Sequence, residues 1–151
     1  MKKQILLSVA ILVASVSELV LADPAPGQLE IVLDEMTFSS EINMCQAMPG
    51  MVILAGESAG GDERIKVLFQ DAGGERGLAF ELLYTQEGTT VREMWDAEGD
   101  AITSSQDGKK VTAEGTLQRS RTLKMVNGAW EESPDSGAAA SRNFTLAALC
   151  E

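Results

Sequence analysis

Hydrophobic and polar residues alternate one by one along several stretches of this chain. Between Arg64 and Gln70, for example, Ile65, Val67 and Phe69 alternate with polar side chains. The same period of two runs through Leu78–Tyr84, Val111–Leu117 and Phe144–Cys150. Because successive side chains of a strand point to opposite faces, this period predicts β-strands with one face against a core.

Less regular strand patterns and turn residues fill most of the remaining chain. The weaker strand patterns cover Leu29–Phe38, Gly50–Ala55, Thr90–Trp95 and Leu123–Val126. Turn dipeptides, some of which favour tight hairpins, separate the patterns at Gly60-Gly61, Gly73-Gly74, Asp107-Gly108 and Asn127-Gly128. The polar stretch from Trp130 to Ser141 is interpreted as a loop with room for one helical turn around Ala138–Ala140. About eight short strands predict an all-β fold, an antiparallel β-sandwich or barrel.

The first 22 or so residues have the organisation of a secretory signal peptide. Lys2 and Lys3 precede an apolar run from Ile5 to Val16, after which the chain turns polar at Ser17 and Glu18. Val20, Leu21 and Ala22 then give small or tolerated residues before a cut site, as is typical of signal peptidase substrates. The run is shorter than the roughly 20 apolar residues that span a bilayer. We therefore expect cleavage after Ala22, an extended tail over residues 23–28 and a single exported β domain over residues 23–151, periplasmic or extracellular.

Composition narrows the chemistry that this domain can perform. The formal net charge is −11, and the chain has no histidine. An acidic surface repels phosphate backbones and anionic lipids, which argues against nucleic acid and anionic membrane surfaces as partners. Without histidine, Ser-His-Asp and Cys-His catalysis and imidazole zinc sites are excluded. We expect no catalytic residue, no cofactor and no resident metal.

The chain has two cysteines, Cys45 and Cys150. In an oxidising compartment two cysteines most simply form one disulfide. A cross-link that closes so long a loop contributes at most about 4–5 kcal/mol in the chain-entropy model. The bond would join the last strand to an early one.

Methionines surround the first cysteine, at Met44, Met48 and Met51. Thioether and thiolate ligands suit Cu(I), so copper binding through the Met44–Met51 segment is one hypothesis. The alternative is that Cys45 is oxidised and that the methionines fill gaps around the disulfide.

Three further groups of polar residues raise other binding hypotheses. Oxygen ligands that could hold Ca²⁺ occur at Asp96, Glu98, Asp100 and Asp107. However, Ala101 stands where an EF-hand loop needs glycine, so a solvated acidic hairpin is the preferred interpretation. Arg119 and Arg121 flank Ser120 and could hold an anion or pair with local carboxylates. Paired acids beside an aromatic ring, as in sugar sites, occur at Trp130-Glu131-Glu132, where a polar loop is the preferred interpretation.

Several segments occur in an order that resembles a known family. They are L-E-I-V-L-D from Leu29, the cysteine at position 45, G-L-A-F-E-L-L from Gly77, T-V-R-E-M-W from Thr90, D-G-K-K-V-T-A-E-G-T-L from Asp107 and the closing N-F-T-L-A-A-L-C. This pattern is similar to that of the mycobacterial surface lipoprotein antigens. The resemblance implies a compact β domain with a Cys45–Cys150 disulfide and an envelope role in adhesion or host recognition. That family carries a lipid on an N-terminal cysteine, which this chain lacks, so lipid-dependent functions do not carry over.

The sequence thus favours a non-enzymatic, exported β domain with a binding or structural role and an unknown protein or glycan partner. Two alternatives stay open. One is an acidic inhibitor of a cationic partner such as lysozyme, because charge steers association. The other is periplasmic copper binding through the Met44–Met51 segment.

Overall fold

The computed structural model describes residues 21, 23–58, 63–137 and 139–151, and it is built almost entirely of β-strands. The alternating segments form strands because their apolar face is buried on pairing. Ten strands are present in the described residues: β1 (Gln28–Leu33), β2 (Met36–Met48), β3 (Met51–Ser58), β4 (Arg64–Ala72), β5 (Glu75–Gln86), β6 (Thr89–Glu98), β7 (Ile102–Asp107), β8 (Lys110–Val126), β9 (Ala129–Glu132) and β10 (Ser141–Leu149).

The sheet closes into an antiparallel barrel. From β1 to β6 each strand pairs with the next, β6 pairs with β8, β8 with β10, and β10 with β1. β7 continues β6 along one edge of β8, and β9 precedes β10 along the other edge. The predicted all-β fold is confirmed, and of its two forms the barrel is the one observed: eight strands close the ring and two extra strands extend it.

Side chains fill the interior of the ring. Every strand of the closed ring contributes to it, as β1 does with Leu29, Ile31 and Leu33 and β4 with Ile65, Val67 and Phe69. Trp95 is the largest fully buried side chain. An eight-stranded barrel is just wide enough for such filling, so the outer surface and the two ends are left for recognition.

The two ends of the barrel carry different turns. The disulfide end holds the Cys45–Cys150 bond and the turns 49–50, 73–74 and 108–109; the far end holds the turns 34–35, 87–88 and 127–128. At the far end, Asn127 and Gly128 have φ values of 50° and 80°, which is the geometry of the tight hairpin that Asn-Gly predicts.

The predicted disulfide is confirmed. Cys45 in β2 and Cys150, directly after β10, are bonded with their Cα atoms 6.0 Å apart and 105 positions apart in sequence. The bond joins an early strand to the last one, as expected.

Some predicted boundaries were wrong. The Leu29–Phe38 pattern is two strands, because the chain turns at Asp34–Glu35, where Asp34 has a φ of 51°. The stretch interpreted as a loop contains β9, and its helical turn is a 3₁₀ turn at Pro134–Gly137 that precedes Ala138–Ala140. Ala138 itself lies outside the described residues.

The acidic segment from Asp96 to Asp107 does not form a hairpin. It is the end of β6, a 3₁₀ turn at Gly99–Ala101 and all of β7, two strands that pair with β8 and not with each other. Asp96 and Glu98 therefore point outward from a strand, and Asp107 closes the next strand beside Lys110.

The predicted signal peptide, residues 1–22, lies outside the described residues except for Leu21, as does the turn pair Gly60-Gly61. In the tail, Pro24 is buried and the Asp23 carboxylate pairs with the Lys110 ammonium. Within the described part of the chain, no helix has the length and apolar character to cross a membrane.

Candidate functional site

Four neighbouring strands, β2 to β5, place an apolar row on the outside of the barrel. Along each strand the inward positions are buried, so the outward ones alternate with them. Directly opposed outward residues across these strands are Met44, Ala55, Leu68 and Ala79. Met44 and Leu68 are each 47% exposed. We call this row, with the neighbouring outward residues of β2 to β5, the outer face.

The rows on either side of the apolar row differ in character. Toward the far end the next outward row is Glu41, Glu57, Lys66 and Glu81. Glu41 lies directly opposite Glu57, and like charges so placed repel each other. Toward the disulfide end the outermost row begins with Met48, which is 50% exposed, opposite Met51.

A groove of about 310 Å³ runs along the outer face. Its apolar floor includes Ala55, Leu68, Ala79 and Met94, and Asp96 stands at one side. The contact between Lys66 and Glu57 is long, 4.0 Å, and both side chains are well exposed, so it contributes little. The groove thus combines apolar contact area with a net acidic border.

The methionines that suggested copper lie in this face, and the cysteine does not. Cys45 points inward, opposite the buried Leu54, and is held in the disulfide. Met48 and Met51 face each other across the turn, whereas Met44 lies four residues along the strand, about 13 Å away at strand geometry. The structure therefore brings two thioethers together and leaves no thiolate beside them.

A bulge separates the two arginines that the sequence offered as an anion site. The register of β6 against β8 shifts between Met94 and Trp95, where Ser120 is the extra residue. Arg121 consequently points outward and pairs with Glu132 at 3.3 Å. Arg119 lies opposite the buried Trp95 and points inward, 6.0 Å from the centroid of its ring.

Inside the far end, Arg119 belongs to a polar cluster. The Glu93 carboxylate is 8% exposed and accepts hydrogen bonds from the Tyr84 hydroxyl at 3.0 Å and from the Trp95 Nε1 at 3.1 Å. The Arg142 guanidinium lies 4.9 Å from the centroid of the Trp95 ring. Burial, followed by the Glu93 carboxylate, raises the pKa of Tyr84 above its ordinary 10.0, against the opposing effect of Arg142 and Arg119. We call these five residues the inner cluster.

Sequence reasoning missed all of the inner cluster except Arg119. A signal was present, because Tyr84 shares the inward phase of Leu78 and Phe80, and Arg142 shares the inward phase of Phe144 and Leu146. A charged residue in the buried phase of a strand is unusual and marks a position worth testing for a partner.

The disulfide end has a cavity of about 320 Å³ with a different polar set. Asp71 accepts hydrogen bonds from the Ser104 hydroxyl at 2.6 Å, the Gly74 amide at 3.2 Å and Arg76 Nε at 3.3 Å. The Ser104 bond, more than the other two, holds the pKa of Asp71 below its ordinary 3.8 despite its burial. Because these groups satisfy one another, the set fastens β4 and β5 to β7.

The remaining predicted groups do not converge. Among the described residues, no three acidic or cysteine side chains lie close enough to hold a metal ion, and Asp96, Glu98, Asp100 and Asp107 are spread over two strands and a turn. Glu131 and Glu132 are successive residues of β9 and point to opposite sides. Trp130 is 38% exposed and lies beside Arg92, whose guanidinium is 5.9 Å from its ring centroid.

Comparison with known proteins adds no family to this description. No protein-family model matches the chain, and no curated protein matches its sequence. The resemblance to the mycobacterial surface lipoprotein antigens therefore stays a prediction from the sequence.

Proposed function

We propose that this protein is a non-enzymatic, exported binding domain that recognises a cationic protein through its outer face. The observation that carries the proposal is an exposed apolar row beside a predominantly acidic row, in which Glu41 lies directly opposite Glu57 while Arg92 pairs with Glu81. Large side chains exposed together on a soluble domain are typical of recognition surfaces. Methionine adds a side chain that adapts its shape to a partner.

Charge complementarity supports a cationic partner. The chain carries 23 acidic and 12 basic residues, and such an excess accelerates encounter with a protein of opposite charge. A partner that places a lysine or arginine between Glu41 and Glu57 would relieve their repulsion. The same partner would cover Met44 and Leu68 with apolar atoms.

Calorimetric titration with lysozyme, and with an extended peptide of alternating lysine and leucine, tests this proposal. We expect binding that weakens as salt is raised and that falls at least about tenfold, roughly 1.4 kcal/mol, in Leu68→Ser. The double variant Glu41→Gln, Glu57→Gln should lose most of the salt dependence.

The matched control is Val126→Ser, which removes a side chain that is 37% exposed but lies outside the outer face. Its affinity should equal that of the wild type. Failure of both probes to bind, or equal losses in Leu68→Ser and Val126→Ser, would contradict the proposal.

A further inference from the structure

The inside of the far end has the opposite charge balance to the rest of the molecule. Arg119, Lys124 and Arg142 lie opposite Trp95, Val91 and Leu117 respectively, all three of which are buried. Because directly opposed residues share a face of the sheet, all three basic side chains belong to the inner face. In the same region lie two carboxylates, which leaves a positive balance: Glu131, which is exposed and lies opposite Lys124 across β8 and β9, and Glu93.

Both oxygens of the Glu93 carboxylate accept hydrogen bonds from neutral donors. Tyr84 donates to Oε1 and Trp95 to Oε2. In the described part of the chain Arg142 forms no ion pair, and its buried Nη1 donates no hydrogen bond. The guanidinium is instead stacked near the Trp95 ring. This Nη1 group is therefore available to an acceptor from outside the chain, a water or a ligand.

Apolar side chains of β2 lie on the inner face at the rim of the far end. Met36 pairs with Leu33 next to the turn at Asp34–Glu35 and is 43% exposed. Behind it on the inner face, Phe38 packs against Phe80 at 5.6 Å between ring centroids. This end of the inner face thus carries apolar as well as basic side chains.

We propose that the far end of the barrel binds the carboxylate of a small aliphatic acid, with Arg142 at the head group and Lys124 nearer the rim. The planar guanidinium fork matches the two oxygens of a carboxylate. The apolar tail of the ligand would lie against Met36 and Phe38. This site is on the inside of the barrel and is independent of the outer face.

Trp95 fluorescence reports on this site, since its indole contacts both the guanidinium of Arg142 and the carboxylate of Glu93. Trp130 is the second tryptophan, and Trp130→Phe leaves Trp95 as the single emitter. In this background we expect a saturable change on titration with hexanoate. Hexanamide, which has the same shape without the charge, should give none.

Arg142→Gln should weaken hexanoate binding at least about tenfold. Arg121→Gln is the matched control, because it removes an arginine from the same barrel wall that points outward, and it should bind like the parent. Leu68→Ser, on the outer face, should also leave the affinity unchanged. Circular dichroism verifies that each variant is folded.

Other outcomes would overturn the assignment. Equal responses to hexanamide and hexanoate would show that the site does not recognise the carboxylate charge. No saturable response to either compound would show that no site exists. A response to inorganic phosphate as strong as that to hexanoate would show that the site binds oxyanions in general and does not select an aliphatic acid. If Arg142→Gln does not fold, Lys124→Gln and Arg142→Lys must each weaken hexanoate binding, and unchanged affinity in both would refute the proposal.

Discussion

Glycine at position 115 is required by the carbonyl group of Ala101. The 3₁₀ turn at Gly99–Ala101 brings this carbonyl oxygen against β8, where a Cβ added to Gly115 would lie 1.9 Å from it and 3.1 Å from Phe144 Cε1. Since the obstacle is backbone, we expect Gly115→Ala to destabilise the fold by about 1–3 kcal/mol or more. Urea unfolding measures this difference.

Gly77→Ala is the matched control, because a Cβ there would come no closer than 3.5 Å, to the flexible Gln70 side chain. Its stability should be equal to that of the wild type or up to about 1 kcal/mol higher, since alanine restricts the unfolded chain. Equal losses in the two variants would contradict the role given to Ala101.

Asp71 gives the molecule a stability that depends on pH. The pKa of Asp71 lies below 3.8 in the folded protein, chiefly because the Ser104 hydroxyl donates to it. A lowered pKa stabilises the fold above the unfolded pKa, and this contribution is lost as pH falls through the folded value. We expect Asp71→Asn to cost about 1–2 kcal/mol at neutral pH and to flatten the loss of stability between about pH 5 and pH 3.

Urea unfolding of the wild type, Asp71→Asn and Ser104→Ala across that pH range makes the comparison. Ser104→Ala should lie between the other two, because the Gly74 and Arg76 bonds remain. A pH profile of Asp71→Asn parallel to that of the wild type would show that another carboxylate is responsible.

At the scale of elements, the β2–β3 hairpin depends on the disulfide. β1 pairs with β2 only as far as Glu41, so residues 43–48 have a strand neighbour on one side only within the described residues. The Cys45–Cys150 bond ties this projecting part to the end of β10. Since Met44 and Met48 lie on the same segment, the bond also holds part of the outer face.

Replacing both cysteines by serine should lower the free energy of unfolding by about 2–5 kcal/mol. We also expect hydrogen exchange to rise first and most in residues 43–55, because this hairpin loses its link to β10. The hairpin at Asn127–Gly128 serves as the internal control and should change only with global stability. A uniform rise over the whole chain would contradict the local role of the bond.

Local patterns predicted most strands but not how they join. The period of two located β4 and β5 because each of them buries one face only, and it located β10 because Phe144, Leu146 and Ala148 lie on one face, although Ala147 is buried on the other. The sequence pattern predicted two strands in place of β8, because the bulge at Ser120 breaks the alternation. It missed β7 because Ile102 is the only buried residue of that strand. The choice of a barrel depends on the pairing of β1 with β10, which no local pattern encodes.

The candidate sites show the same division between local and distant information. The methionines near Cys45 were visible as a sequence cluster, yet their exposure depends on strand phase, which the bulge between Ile42 and Met44 resets. Arg142 and Glu93 are far apart in sequence, and both contact Trp95 only because β10 and β6 flank β8. Their juxtaposition is a property of the closed ring.

For the whole molecule, acidity is the barrier against self-association through the outer face. The sequence pI is about 4.4, so at neutral pH two copies would bring acidic rows together. Near pH 4.4 this repulsion vanishes while Met44 and Leu68 stay exposed. We expect a monomer at neutral pH and reversible association near the pI.

Sedimentation velocity at both pH values measures this association, with circular dichroism to verify that the barrel is intact. The double variant Met44→Ser, Leu68→Ser should remain monomeric near the pI, because the apolar row is removed. Val126→Ser keeps that row and should associate like the wild type. Association of equal strength in both variants would mean that the neutralised surface as a whole, and not the outer face, drives contact between copies, which would also weaken the case for this face as the recognition surface.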